Sequence, residues 1–351
     1  MAETTLDATV TIGKDQIAPD DVFDLLIEAD LDQPDMAAIT LSNTGTQQWS
    51  SKVNQGDAFE IKAGFTTGKD AGTVFKGEVT GLEPMFAANG VSRVVVRGLN
   101  GLHKLARGKK SVSYTKVTDK DIVSKIVGNY GLKADFGDTA PSTKYDHVYQ
   151  HNQTDLEFLR LRASRIGFEV LVQDTTLFFR KRTEKDSGIK LVLGESGEST
   201  LERFMPRMST ANQVSEVRVR GWDPDQKKEI LGTASPASSK LGDKTGSEVT
   251  NNTHKNVLYF DVDVPVFTKE DADAIAKSIL QDRLMGYITG DATAKGNPDL
   301  KPGIVVTIAV GDKRFDGKYY ITAVRHRYVH EGTDHGFRTH FKFKRDAESN
   351  T

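Results

Sequence analysis

Four histidines come nearest to a chemical constellation: His326, His330, His335 and His340 gather near the C-terminus. The i, i+4 spacing of the first pair would offer two imidazoles to a metal ion from one face of a helix. Their neighbours Tyr328, Val329, Phe337, Phe341 and Phe343 predict a hairpin instead. There, residues four apart share a face but stand about 13 Å from each other at the usual strand rise. Only cross-strand pairing could bring two of them together, and solvated or packed histidines are the plainer reading. Asp and Glu total 49, so composition permits a carboxylate pair of the glycosidase kind. The chain has no Gly-x-Ser-x-Gly elbow, no His-Glu-x-x-His run and no phosphate-binding Gly loop with Lys-Ser/Thr. In Gly64-Phe65-Thr66-Thr67-Gly68-Lys69-Asp70 the first Gly is one residue too close to the Gly-Lys step, and Asp stands where Ser or Thr is needed. No cysteine is present, which removes disulfides, thiolate nucleophiles and Cys-based metal sites together. No catalytic, metal-binding or cofactor-binding residue is therefore assigned, and no enzyme activity or cofactor is expected.

Charge points the same way. Lys and Arg total 47 against 49 acidic residues, a formal charge of -2, and the dense basic runs are Arg107-Gly108-Lys109-Lys110 and Arg180-Lys181-Arg182. Such runs read as solvated strand ends and turns, so no nucleic-acid site is expected. Met1-Ala2-Glu3-Thr4-Thr5 opens without an apolar core of the signal-peptide kind. No stretch approaches the roughly 20 apolar residues that span a bilayer. The expectation is a protein made in the bacterial cytoplasm with no membrane anchor of its own. Its 351 residues favour two or three subdomains. The apolar share of 37% is lean for several large cores, so partner subunits are expected to cover some apolar surface.

The elements that position these residues can be read from period. Leu6, Ala8, Val10 and Ile12 alternate with polar residues, as do Phe59, Ile61 and Ala63, the pattern of half-buried strands. Pro34-Asp35 signals a turn before Ile39-Thr40-Leu41, and Asn89-Gly90 another between strands over 73–82 and 91–97. Strands joined by turns in this way predict an antiparallel barrel or sandwich. The period then changes. Ile122, Val123, Ile126, Val127 and Tyr130 share a helical face behind a Thr118 cap. Thr154-x-x-Glu157 opens a second helix with Leu156, Leu159, Ala163 and Ile166 on one side. A hairpin across Gln173-Asp174-Thr175 completes a compact α/β module. The tract 232–256 is polar throughout and is expected to be a mobile loop. A long helix is expected over 268–287, and alternating strands close the chain.

The two ends of the chain resemble each other. Phe75-x-Gly77 leads into a strand, a polar excursion, Gly90 and the strand 91–97; Phe315-x-Gly317 leads through the same sequence of features to Gly336 and 337–344. These are either two unrelated hairpins with common turn chemistry or a duplication. A duplication would give one chain two barrels of one type, and three chains around an axis would then present six.

The run Val148-Tyr149-Gln150-His151-Asn152-Gln153-Thr154-Asp155-Leu156-Glu157-Phe158-Leu159, ending Arg165-Ile166-Gly167-Phe168-Glu169-Val170, resembles a segment of VgrG spike proteins and phage late control D proteins. Leu31-Asp32-Gln33-Pro34-Asp35, Phe75-x-Gly77 and the closing Phe315-x-Gly317-Lys318-Tyr319 with His326 and Gly336-Phe337-x-Thr339-x-Phe341 look like further signposts of that family in the same order. The resemblance implies a mainly β (α+β) fold: two tube-like antiparallel β-barrel domains, 1–105 and 205–351, flanking an α/β module at 106–204, assembling as a homotrimer. It implies a structural baseplate hub of a phage tail or contractile injection system. Its partners would be an inner tube protein above, a spike or tip protein below and baseplate wedge proteins around it. Its final location would be an injection particle. No short-period strand repeat occurs, so the spike is expected on a separate chain or in a missing C-terminal part. The other expectation open at this stage is a particle-borne peptidoglycan- or carbohydrate-binding module or cell-wall hydrolase. Against it, Trp49 and Trp222 stand in no aromatic cluster.

Overall fold

A computed structural model describes residues 6–44, 48–65, 72–88, 92–194, 200–329 and 336–349. The Asn89-Gly90 signal, His330, His335, Met1–Thr5 and the Thr66–Asp70 part of the Gly-Lys run lie outside them.

The first half is built from β1 (Leu6–Ile12), β2 (Asp15–Ile17), β3 (Val22–Asp30), β4 (Gln33–Ser42), the single turn α1 (Trp49–Lys52), β5 (Ala58–Phe65), β6 (Gly72–Met85) and β7 (Arg93–Asn100). Alternation places Val94, Val96 and Gly98 of β7 on the inner face and Arg93, Val95 and Arg97 on the other. Ile27, Ile39, Phe59, Ile61, Phe75 and Val79 meet there in one core. The expected turn at Pro34-Asp35 lies earlier: Asp32 N donates to Asp30 Oδ1 at 2.8 Å, which turns the chain before β4 begins at Gln33.

Next come α2 (Leu102–Leu105), β8 (Lys110–Thr118), α3 (Asp119–Gly128), β9 (Lys133–Asp135), β10 (Lys144–Gln153), α4 (Asp155–Arg165), β11 (Phe168–Gln173) and β12 (Thr176–Lys181). This is the α/β module, with its core drawn from residues 102–179. Both expected capping boxes are formed, by Thr118 with Asp121 and by Thr154 with Glu157. The β11–β12 hairpin turns at Asp174, which adopts φ 53°.

The remainder comprises β13 (Asp186–Val192), β14 (Leu201–Met208), β15 (Glu216–Asp223), β16 (Lys228–Ala234), β17 (Lys244–Thr245), α5 (Gly246–Thr253), β18 (Leu258–Asp261), α6 (Lys269–Leu284), β19 (Ile288–Lys295), β20 (Val305–Ala309), β21 (Gly317–Val329), β22 (Gly336–Arg345) and β23 (Ala347–Glu348). Two larger cores occupy this stretch, beside a small cluster of Leu241, Met285, Val305 and Tyr320. One lies under β14 and β19–β22. The other joins β15, β16, β18 and α6 into a separate lobe inserted between β14 and β19. The long helix starts where expected, with Thr268 Oγ1 accepting from Asp271 N at 3.1 Å. The tract 232–256 departs from expectation. It holds the end of β16, β17 and α5. A full Thr245–Glu248 capping box opens α5, Ser247 Oγ donates to Val214 O at 2.7 Å, and Thr250 Oγ1 to Gly246 O at 2.8 Å. Apolar content underrates this tract because polar side chains satisfied by the backbone hold it.

The mainly β architecture contains one large curled antiparallel sheet, and the two ends of the chain contribute equivalent halves to it. The first half runs β3-β4-β7-β6-β5-β1 and the second β14-β19-β22-β21-β20-β13. Taken in chain order, the six strands of one match the six of the other. Detail agrees with order. Each long hairpin carries a bulge at a threonine, Thr80 between Val79 and Gly81, and Thr322 between Ile321 and Ala323. Val79 N donates to Asp57 O and Val79 O accepts from Gly56 N, both at 2.8 Å; Ile321 N donates to Ile304 O and Ile321 O accepts from Gly303 N, both at 2.9 Å. Gly56 and Gly303 both take a left-handed conformation, φ 90° and 83°, which L side chains rarely adopt. One difference stands out: β1 runs antiparallel to β5, whereas β13 runs parallel to β20.

The Phe-x-Gly signposts do not coincide in this equivalence. The bulges place Gly77 opposite the role of Tyr319, two positions away from Gly317, and Phe75-x-Gly77 lies inside β6 rather than at a turn. Gly77 is needed for close packing, since a Cβ there would stand 2.2 Å from Leu99 O. Among the described residues no strand pair closes either half on itself. Instead Ala323–Val329 of β21 pair with Asp30–Asp24 of β3, so the halves share one sheet.

Candidate functional site

The histidines separate. His326 faces inward at 3% exposure; its Nδ1 lies 3.0 Å from Thr339 Oγ1 and its Nε2 3.1 Å from Leu300 O, and its ring stacks on Phe337. Burial pushes it down to about 4. His340 lies on the opposite face of the sheet, opposite Arg325, with Nδ1 2.9 Å from Thr293 Oγ1. Two imidazoles on opposite faces cannot share an ion, and no cluster of metal-ligating side chains occurs among the described residues.

The segment that carries the family resemblance is a buried hydrogen-bond hub. Gln150, fully buried at the end of β10, donates from Nε2 to Gln153 O at 3.1 Å and to Asp155 Oδ1 at 3.0 Å. Asp155, also fully buried, accepts the Tyr130 hydroxyl at 2.7 Å and pairs with Lys110 Nζ at 2.7 Å. One Gln and one Asp thus tie together β8, β10, α4 and the turn after α3, which explains residue types that an apolar pattern would not place in a core. Lys110 comes from one of the basic runs. From the other, Arg180 lies over Phe178 at 4.6 Å and Arg182 over Tyr320 at 5.7 Å. Both runs therefore serve internal packing at least in part.

A cleft of about 970 Å³ opens between the module, α6 and the sheet, with Asp32, Arg160, Glu169, Arg182, Asp282 and Tyr320 in its wall. Burial raises Glu169 above the usual carboxylate range, and the Tyr320 hydroxyl donates to it. Burial, reinforced by Glu169, lifts Tyr320 well above an ordinary phenol. Burial also raises Asp282 and lowers Arg160. The Tyr320–Glu169 bond, with Arg182 over the Tyr320 ring, acts as a strut between β11 and β21. Nearby, Asp119 and Arg162 join α3 to α4 within the module by two bonds of 2.6 and 3.1 Å, with the guanidinium over the Tyr145 ring. Sequence reasoning missed this cleft. The signal available was Glu169, a carboxylate inside the apolar run Phe168–Val172.

The outer face of the sheet is charged. Arg325 pairs with Glu28, Arg327 with Asp24 at 3.3 Å, Arg97 with Glu83 at 2.6 Å and Arg338 with Glu202 at 3.2 Å. Trp49 is buried at 4% and Trp222 exposed at 58%, so the two form no platform. No helix among the described residues is long and apolar enough to cross a membrane.

Comparison with known proteins adds the following. A family model described as the Alg8 N-terminal domain matches residues 4–330. No curated protein matches the chain. Among solved structures, the 43 kDa tail protein of prophage MuSo2 from Shewanella oneidensis aligns with a TM-score of 0.71 at 14% identity, over 97% of this chain and 98% of that one. The tail protein from Neisseria meningitidis MC58 aligns at 0.72 and 14% identity, over 97% and 96%. The E. coli c3393 protein, described as a type VI secretion component with structural similarity to T4 bacteriophage tail proteins gp27 and gp5, aligns at 0.57 and 14%, over 97% and 76%. At such identities the likeness is one of fold, and that fold is the one found in phage tail proteins.

Proposed function

This chain belongs to the Alg8 N-terminal domain family, and from the fold it has in common with phage tail proteins we propose that it is a structural hub subunit. It works in a phage-like tail or contractile injection baseplate and catalyses nothing. Three copies form a ring that accepts an inner tube protein on one face and a spike or tip protein on the other, with baseplate wedge proteins around it. The observation that carries this reading is the doubled six-strand order within one sheet. Two equivalent halves per chain let three chains offer six similar positions to a sixfold tube while keeping threefold contacts for a spike. The polar strut of the cleft supports it too, since Glu169 is committed to holding the module to the sheet through Tyr320. Obligate rings of this kind bury interfaces of roughly 2,000 Å² or more, which fits a chain lean in apolar residues.

The test is assembly. Mixed with tube and spike proteins from the same cluster of genes, the chain is expected to form a particle in which electron microscopy finds tube and spike on opposite faces. A chain that binds neither, at any concentration tested, overturns the reading. Release of soluble fragments from cell walls, abolished by Glu169→Gln, would replace it with a hydrolase.

A further inference from the structure

Among the described residues the shared sheet leaves several strand edges without partners, and two of them, the distal half of β6 and β14, are the counterparts of the two that meet inside the chain. The internal junction sets Ala323 opposite Asp30, Arg325 opposite Glu28 and Arg327 opposite Leu26. The bulges make Val79 equivalent to Ile321, so Gly81–Ala87 correspond to Ala323–Val329. Cross-strand partners then run Val79, Gly98, Ala37, Ile27 in the first half and Ile321, Phe343, Gly290, Pro206 in the second. Pro206 of β14 is thereby the counterpart of Ile27 of β3. Among the described residues, β6 beyond Gly81 pairs only with β7, and β14 only with β19.

We propose that β14 of one copy adds antiparallel to the distal half of β6 of a second copy of this chain, with Leu82 opposite Met208, Glu83 opposite Arg207 and Met85 opposite Met205. The proposal rests on the hub reading only in requiring that copies meet; strands and register come from the internal junction. Charge supports the register. At the internal junction Arg325 faces Glu28 and pairs with it, and the same position between copies brings Glu83 to Arg207, the same pair with its signs exchanged. Among the described residues no ion pair engages Arg207. Apolar exposure supports it as well: Met85 is 54% exposed and Met205 36%, large apolar side chains that would meet across the junction.

Pro84 and Pro206 would stand opposite each other. Inside the chain Leu31 N donates to Thr322 O at 3.1 Å, so alternation makes the His326–Ile27 position a hydrogen-bonded pair. At its counterpart neither proline has an N–H to give. Each free edge therefore exposes no amide at that point, as protected edges do, and the junction between copies lacks two bonds that the internal one has. It is accordingly the weaker and more reversible of the two.

The absence of cysteine makes the test clean. Met85 and Met205 would form a non-hydrogen-bonded pair with Cα atoms about 4.5 Å apart, within disulfide reach. A Met85→Cys/Met205→Cys chain is expected to give covalent multimers on oxidation. Either single variant, or Met85→Cys/Arg203→Cys, is expected to stay largely uncrosslinked. Independently, Arg207→Glu is expected to weaken association about tenfold in sedimentation, and Glu83→Arg/Arg207→Glu to recover most of it. Assembly with tube and spike but without the Met85–Met205 crosslink sinks the junction and leaves the hub. Crosslinking without tube or spike binding keeps the junction and sinks the hub. A chain that stays monomeric throughout, or an Arg207→Glu chain that associates like the parent, overturns the junction.

Discussion

His326 shows how a single residue type can point to chemistry and turn out to be structural. Its two ring nitrogens are occupied by Thr339 Oγ1 and Leu300 O, and burial holds it neutral, with its titration pushed down to about 4. A histidine whose folded value is depressed contributes stability that is complete above the unfolded value near 6.5 and is lost as pH falls through 4. The expected loss across that window is roughly 3 kcal/mol. Urea midpoints measured from pH 7 to 4 should therefore fall more steeply for the native chain than for His326→Gln. Parallel midpoints would mean that the imidazole does not feel this burial. The same lesson applies to Gln150 and Asp155, whose polarity is spent on joining two strands, a helix and the turn after α3.

Among the elements, the helices are the best-signalled. Thr118, Thr154 and Thr268 each mark a start that the backbone confirms. Thr245-x-x-Glu248 carried the same signal, and the polarity around it concealed α5. In the strands the telling residues are Gly56 and Gly303, which turn the chain into β5 and β20 in matching ways. A Cβ on Gly56 meets nothing within 4 Å, and one on Gly303 makes only ordinary contacts of 3.7 Å or more. Strain from the left-handed backbone is thus the main cost of Gly56→Ala and of Gly303→Ala. Each is expected to lower stability by about 1 kcal/mol, and by similar amounts. Chemical denaturation of the two variants checks this; costs differing by several-fold would show that the two turns are not equivalent.

The whole molecule is held by continuity. The β21–β3 pairing carries hydrogen bonds from one half to the other. Arg165 to Asp271 at 2.8 Å, Ser278 to Ser164 O and Tyr320 to Glu169 fasten module and lobe to each other and to the sheet. Ile27, 3% exposed and opposite His326, sits at the seam. Ile27→Ala is expected to cost roughly 2 to 4 kcal/mol. Because the sheet is shared, amide exchange should speed up in β22 as well as in β7. Protection lost from β7 alone would mean that the halves open independently.

The sequence by itself determined the mainly β class, the capped helices and the α/β module, because local period and capping chemistry are written within a few residues; it left open whether the two hairpins are related. It also placed the segment 148–170, whose Gln and Asp carry the family resemblance. Only the tertiary structure decided how the two hairpins align, since the position of a bulge is set by the pairing register of its two strands and leaves no local pattern in the sequence. The separation of the histidines, the strut of Glu169 and Tyr320 and the seam between Arg325 and Glu28 were decided there too. The strut and the seam join residues more than a hundred positions apart, and the histidines are parted by sheet register, which no local pattern records.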